Sequence, residues 1–333
     1  MKNAPLSHWL HAFFHEWLAQ QRNYSQHTIL SYRDTWRLYL RYVAGRRRRS
    51  VSDLILEELT ASEVLAFLAH LEAERHDAIG TRNCRLAAIR SFYRYLAERE
   101  PLAAAQCAAV LQIPMKKAAR PAINYLDSEE VTAILRQPDR STLEGQRDHA
   151  LLALLYNTGA RIQEALGLCP SAVRLTAPPH VKLYGKGRKE RINPLWPETA
   201  QLLAALLKRH PRADHEPLFV NRYGRPLGAA GVRYKLAHYV AAAAKKLPTL
   251  RDKRITPHTF RHTAGVQLVA AGVDVTVIRS WLGHVSLDTT NHYARANIET
   301  KRRAIDLVDR STRPGKPPRW RRNPNLLAWL DSL

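Results

Sequence analysis

Cysteine is nearly absent from this chain: Cys84, Cys107 and Cys169 are three scattered residues in 333, with no C-x-x-C pair. An odd, unclustered set excludes a disulfide framework and a cysteine zinc site, so reduced, mostly buried thiols are expected. No apolar run approaches the length of a membrane span, and Lys2 is not followed by an apolar stretch with a small-residue cleavage site. A cytoplasmic protein with no membrane partner is expected. The phosphate-cradling pattern G-x-x-x-x-G-K-S/T is missing, as are a carboxylate cluster and H-E-x-x-H. These absences argue against nucleotide-driven and metal-dependent chemistry, and no cofactor or metal is expected. Acidic residues are scarce too, with 29 Asp and Glu against 52 Lys and Arg and a formal charge of +23.

That imbalance points to a polyanion as partner, with nucleic acid foremost. The basic residues are spread along a chain that is 45% hydrophobic, which describes a folded protein with a basic face and not a disordered tail. Its 333 residues suit two domains, each able to bury a core of its own.

Leu6, Trp9, Leu10, Phe13, Phe14, Trp17 and Leu18 recur at helical spacing, as do Ile29, Tyr32, Trp36, Tyr39 and Val43. These aromatics read as core. Further helical patterns run through about 61–75 and 81–98, the latter with Arg82, Arg85, Arg90 and Arg94 on faces turned from Leu86, Ile89, Phe92 and Leu96. Residues 1–112 thus read as an all-helical, basic domain, with Arg46 to Arg49 a solvated loop. Residues 113–125, with Pro114, Lys116, Lys117, Arg120 and Pro121, read as a linker. A second domain over 126–310 begins where Asp127 caps a helix, with Glu130 three residues on. It is mainly helical, with short strands at 180–184 and 190–195 around the Gly185-Lys186-Gly187 turn.

Thr256 and Pro257 open a helix that places His258 and Arg261 on one face, where an imidazole, a guanidinium and the helix dipole can hold an anion. His258 and His262 at i,i+4 suit a metal equally by spacing, but no third ligand is evident. Asp274 caps a helix ending at Gly283 beside His284, and Tyr293 follows nine residues later. Upstream, Arg161 starts a helix after a glycine turn, with Glu164 three residues on. Taken singly, each has an ordinary explanation: a surface charge, a helix-end cap, a half-buried aromatic.

Taken in order, Arg161, Lys186, His258, Arg261, His284 and Tyr293 resemble the active-site signature of the tyrosine recombinases, the phage integrase family. The matches include H-T-F-R-H-T at 258–263, L-G-H at 282–284 and T-T-N-H-Y at 289–293. The resemblance runs from about residue 6 to 310 and is nearest the Xer-type and the phage or transposon integrases. It implies a SAM-like helical core-binding domain followed by an α+β catalytic domain, so the whole is mainly α with a small β-sheet. Tyr293 would be the nucleophile and Lys186 the general acid. Arg161 and Arg261 would hold the nonbridging phosphate oxygens, His258 and His284 would donate hydrogen bonds or handle protons, and Glu164 would orient Arg161.

Arg82, Arg85, Arg90, Arg188, Lys189 and Arg191 are candidate DNA contacts. The resemblance also implies double-stranded DNA as partner and a tetrameric assembly on it, with or without partner recombinases. Residues 311–333, with apolar Leu326-Leu327-Ala328-Trp329-Leu330, would dock on a neighbouring protomer or on their own domain. One departure is visible: the acidic residue often found shortly after this Gly-Leu is replaced around Ala172. Rival readings are a topoisomerase that relaxes DNA without exchanging partners and a DNA-binding regulator that has lost catalysis.

Overall fold

A computed structural model describes residues 5–118, 124–185 and 189–283. The chain divides at residues 120 and 121 into two units, each with its own core. The expectations for Lys186, Arg188, His284, Tyr293 and the tail fall outside the described residues.

In the first unit α1 (Leu6–His11) continues in wider π-type turns over Ala12–Gln21. It is followed by α2 (Gln26–Arg47), α3 (Ala61–Ala73), α4 (Ile79–Ala97) and α5 (Ala104–Gln112). Ser25 and Thr60 cap α2 and α3 by accepting from the backbone N–H groups of Thr28 and Glu63. The aromatics are core: Phe13, Trp36, Tyr39, Phe67 and Phe92 are buried, and the Trp36 and Phe92 rings meet edge to face at 4.6 Å. Burying each such side chain stabilises the fold by roughly 1.5–3 kcal/mol.

Three basic features depart from their sequence reading. Arg82 is buried, because its guanidinium is drawn in by Glu72 at 3.3 Å and donates to the Asn83 side chain and the Pro114 carbonyl. Arg85 and Arg90 are half-buried. Arg46 and Arg47 end α2 instead of lying in a loop, and with Arg49 they pair with Glu58 and Glu63. Residues 113–118 pack onto the same unit: Ile113 is buried, and Asn83 exchanges hydrogen bonds with the backbone of Lys116. Among the thiols Cys107 is buried, but Cys84 is exposed.

The second unit opens with α6 (Ser128–Leu135), capped by Asp127 and Glu130 as the sequence predicts. Glu130 also accepts from Lys253 at 2.5 Å and Thr249 at 2.8 Å, which ties this cap to a segment more than a hundred residues on. α7 (Leu143–Thr158) is buried along most of its length, as suits the central helix of a core. Its Asp148 carboxylate binds Arg147 at 2.7 Å, Lys235 at 3.0 Å and the Tyr239 hydroxyl at 2.7 Å.

After α8 (Ile162–Leu166) an antiparallel sheet joins β1 (Val173–Arg174), β2 (His180–Tyr184) and β3 (Glu190–Pro194) in that order. β1 is an addition to the two strands expected. Then come α9 (Pro197–Arg209), α10 (Ala229–Ala244), α11 (Pro257–Ala270) and α12 (Val275–Leu282). Among the described residues no helix is long and apolar enough to cross a membrane.

Candidate active site

The site is built around the C-terminal end of α12. Asp274 starts this short helix by accepting from the Thr276 N–H at 2.7 Å, and Gly283 ends it in the left-handed region at φ +64°. The last carbonyls of a helix have no partner within it and carry the negative end of its dipole. Here three consecutive ones each accept from a different guanidinium. Trp281 takes Arg191 Nε at 3.0 Å, Leu282 takes Arg261 Nη2 at 2.5 Å, and Gly283 takes Arg161 Nη2 at 3.4 Å.

Those arginines arrive from three separate elements. Arg161 follows the tight turn at Gly159, φ +60°, which ends α7, and it stands immediately before α8. Glu164, one turn into α8, accepts both the Arg161 N–H at 2.8 Å and its Nη1 at 2.7 Å. Arg161 keeps about a third of its side chain, 36%, open to solvent, whereas Glu164 is buried. Burial pushes the Glu164 carboxyl up, but hydrogen bonds and charge from Arg191 and Arg161 outweigh it and hold the group below the usual carboxylate range. Arg261, in the middle of α11, is buried, and its Nη1 donates to the Gly159 carbonyl at 2.8 Å. One side chain thus fixes both the turn before Arg161 and the end of α12.

His258 lies one turn before Arg261 on α11 and is exposed. Its ring meets that of His262 edge to face at 4.5 Å. Partial desolvation and then the charges of Arg261 and Arg161 lower the His258 pKa, so the imidazole is neutral at pH 7 and can donate and accept. His262 is pushed down to about 4 by burial, His258 and Arg261. The described residues include no group of three His, Cys, Asp or Glu placed to hold a metal.

The structure therefore gathers Arg161, Glu164, His258 and Arg261 into one neighbourhood. His284 follows Gly283 in the chain, and Lys186 follows Gly185, whose N–H donates to the Lys189 carbonyl at 2.8 Å at the base of the β2–β3 turn. Lys189 is exposed, as a DNA contact requires. Arg191 is different. Its side chain is 8% exposed and its donors are spent on Glu164 and Trp281, which takes it out of the surface DNA contacts. Sequence reading missed Asn193 as well, which is buried and donates to the Trp281 carbonyl at 3.1 Å.

The chain is similar to known proteins over most of its length. Residues 124–300 match the model of the phage integrase family, and residues 12–100 match that of the phage integrase N-terminal SAM-like domain. The protein y4rC of Sinorhizobium fredii is 42% identical over 100% of this chain and 99% of its own length. Tyrosine recombinase XerC of Rhodospirillum centenum is 35% identical over 85% of this chain and 81% of its own. Among solved structures, the XerH site-specific recombinase in its post-cleavage complex with palindromic difH shares the fold, with a TM-score of 0.66 at 20% identity over 86% of this chain and 82% of that one.

Proposed function

The chain belongs to the phage integrase family of tyrosine recombinases, site-specific DNA recombinases that act by transesterification, and we propose that the end of α12 is the phosphate-binding half of its active site. The observation that carries this is the convergence of Arg161 and Arg261 on neighbouring carbonyls directly before His284, with His258 on the same helix as Arg261.

A phosphodiester resists attack while its nonbridging oxygens keep their charge. Arg161, through its open side, and Arg261, from its anchored position, neutralise that charge where it grows in the pentacoordinate transition state. Tyr293 Oη attacks phosphorus, the bond to the 5′-oxygen breaks, and Lys186 protonates the departing 5′-hydroxyl. A free phenol has a pKa near ~10, so Tyr293 must lose its proton to a neighbour, and His258, held neutral, and His284 take this role or hydrogen-bond the phosphorane. One phosphate ester is exchanged for another, a 3′-phosphotyrosine, and reversal of the step rejoins a strand. Double-stranded DNA is the substrate, four protomers assemble on two duplexes for strand exchange, and the enzyme works in the cytoplasm. Exposed Lys189, with Arg188, contributes phosphate contacts.

The test incubates the protein and its Tyr293→Phe variant with nicked fragments of DNA from the source organism, followed by a detergent quench. Covalent adducts with the wild type alone are expected, and sequencing the trapped DNA gives the site. An adduct that survives the substitution would mean a different nucleophile.

A further inference from the structure

β3 breaks the rule that strands bury their apolar side chains. Ile192 is 58% exposed, while Arg191 and Asn193, on the strand's other face, are turned inward. Arg191 pairs across the sheet with buried Leu183. A guanidinium at such a position is tolerated only if it finds partners, and here each of its three nitrogens has one. Nη1 and Nη2 grip Glu164 at 3.1 and 2.5 Å as a fork, and Nε holds the Trp281 carbonyl. A strand that inverts its pattern marks a place where packing yields to another demand.

We propose that Arg191 is a positioning residue for DNA cleavage: it locks the Glu164 carboxylate so that Glu164 holds Arg161 at the scissile phosphate, and it sets the end of α12 on the same frame. The inference rests on Arg161 binding that phosphate, as proposed above. Glu164 divides its two oxygens between two arginines: Oε1 takes Arg161 Nη1 and Arg191 Nη1, and Oε2 takes the Arg161 N–H and Arg191 Nη2. Without Arg191 the carboxylate keeps only its two bonds from Arg161, so half of what fixes its plane is lost and the open Arg161 guanidinium is less firmly aimed. The surroundings leave little slack. A Cβ on Gly185 would lie 3.2 Å from Glu164 Oε1, and one on Gly283 would lie 3.2 Å from Arg191 Nη1, so the base of the β2–β3 turn and the end of α12 both close on this pair. Lysine cannot replace the fork, because an ammonium reaches as a point and not as a plane.

The experiment measures the rate of covalent adduct formation by the full-length protein on a nicked duplex carrying the trapped site. A second duplex carries a methylphosphonate at the scissile position, which removes the charge that Arg161 neutralises. Arg191→Lys is expected to slow cleavage of the phosphodiester by about 100-fold, the order of effect of a misplacement near 1 Å. On the methylphosphonate, Arg191→Lys and Arg161→Ala should both come within a few-fold of wild type.

Equal slowing of Arg191→Lys on both duplexes would assign Arg191 a merely structural role and overturn the proposal, as would wild-type cleavage of the phosphodiester. If Arg191→Lys does not fold, Glu164→Gln, which keeps the side-chain length but removes the charge and replaces one acceptor oxygen by a donor, is put through the same comparison: slowing confined to the phosphodiester supports the relay, and equal slowing on both duplexes overturns it. Wild-type cleavage of the phosphodiester by Arg161→Ala would instead refute the role given to Arg161. Slowing of Arg161→Ala without slowing of Arg191→Lys defeats only the present inference.

Discussion

Gly159→Ala separates two costs that usually arrive together. The residue sits at φ +60°, where an L side chain costs roughly 1–2 kcal/mol, offset by about 0.4–1 kcal/mol from the stiffer unfolded chain. A Cβ there would also lie 2.6 Å from Leu282 Cδ2 and 3.3 Å from Ala264 Cβ. Leu282 is fully buried and cannot swing clear, so the overlap should cost a further 1–3 kcal/mol or so. Gly272 supplies the control, since its φ is +78° but nothing stands within 4 Å of its missing Cβ. Gly272→Ala therefore carries the backbone cost alone. For a unit of this size about 2–4 °C of Tm corresponds to 1 kcal/mol, so Gly159→Ala should melt roughly 2–12 °C below Gly272→Ala by calorimetry. The clash also displaces Leu282, whose carbonyl holds Arg261, so adduct formation by Gly159→Ala should slow while Gly272→Ala stays near wild type. Equal melting temperatures for the two variants would refute the steric argument.

Asp148→Ala leaves Arg147 buried without its carboxylate and should cost about 3–5 kcal/mol in urea unfolding; a loss under about 1 kcal/mol would contradict the network described. For Glu164 the folded pKa lies below its ordinary 4.5, so its contribution is present above that pH and is lost as pH falls through the lower folded value. Glu164→Gln should flatten the acid limb of the stability curve, and an unchanged limb would count against the pairing. His262 takes up its proton near 6.5 when unfolded but only near about 4 when folded, so stability should fall as pH drops between those values, and His262→Gln should remove that slope. DNA affinity measured at about 50 and 200 mM salt should drop by roughly 10³–10⁵ if six to ten phosphates are contacted, and a flat response would argue against phosphate-dominated binding.

Helix starts were legible in the sequence because their signals are local. Asp127 and Asp274 each cap a helix through an N–H only two or three residues away. The aromatic stripe of the first unit was legible for the same reason, since helical spacing alone puts Phe13, Trp36 and Tyr39 inside. The buried arginines were not. Arg82 is drawn in by a carbonyl 32 residues on, and Arg191 by a carboxylate 27 residues back and a carbonyl 90 residues on. Nothing in a basic run such as Lys189-Glu190-Arg191 tells a solvated guanidinium from one with two distant partners. The exposed Ile192 next to Arg191 was just as opaque, because hydrophobicity alone assigns the strand's faces the other way round. Among the candidate site residues, Arg161, Glu164, His258 and Arg261 were named from their motifs, but the acceptors on which Arg161 and Arg261 converge are backbone carbonyls, which every residue carries.

The run of three carbonyls at the end of α12 also sets a ruler. Trp281, Leu282 and Gly283 meet Arg191, Arg261 and Arg161 in sequence, and a helix turns about 100° per residue. Inserting or deleting one residue between the Asp274 cap and Gly283 would mispair all three guanidiniums at once. The turn between Val220 and Pro226 is closed by hydrogen bonds of its own, from the Asn221 N–H to the Arg225 carbonyl and from the Gly224 N–H to the Asn221 carbonyl, but it meets none of these three guanidiniums. Descendants of this chain should therefore keep the span from 274 to 283 at a fixed count.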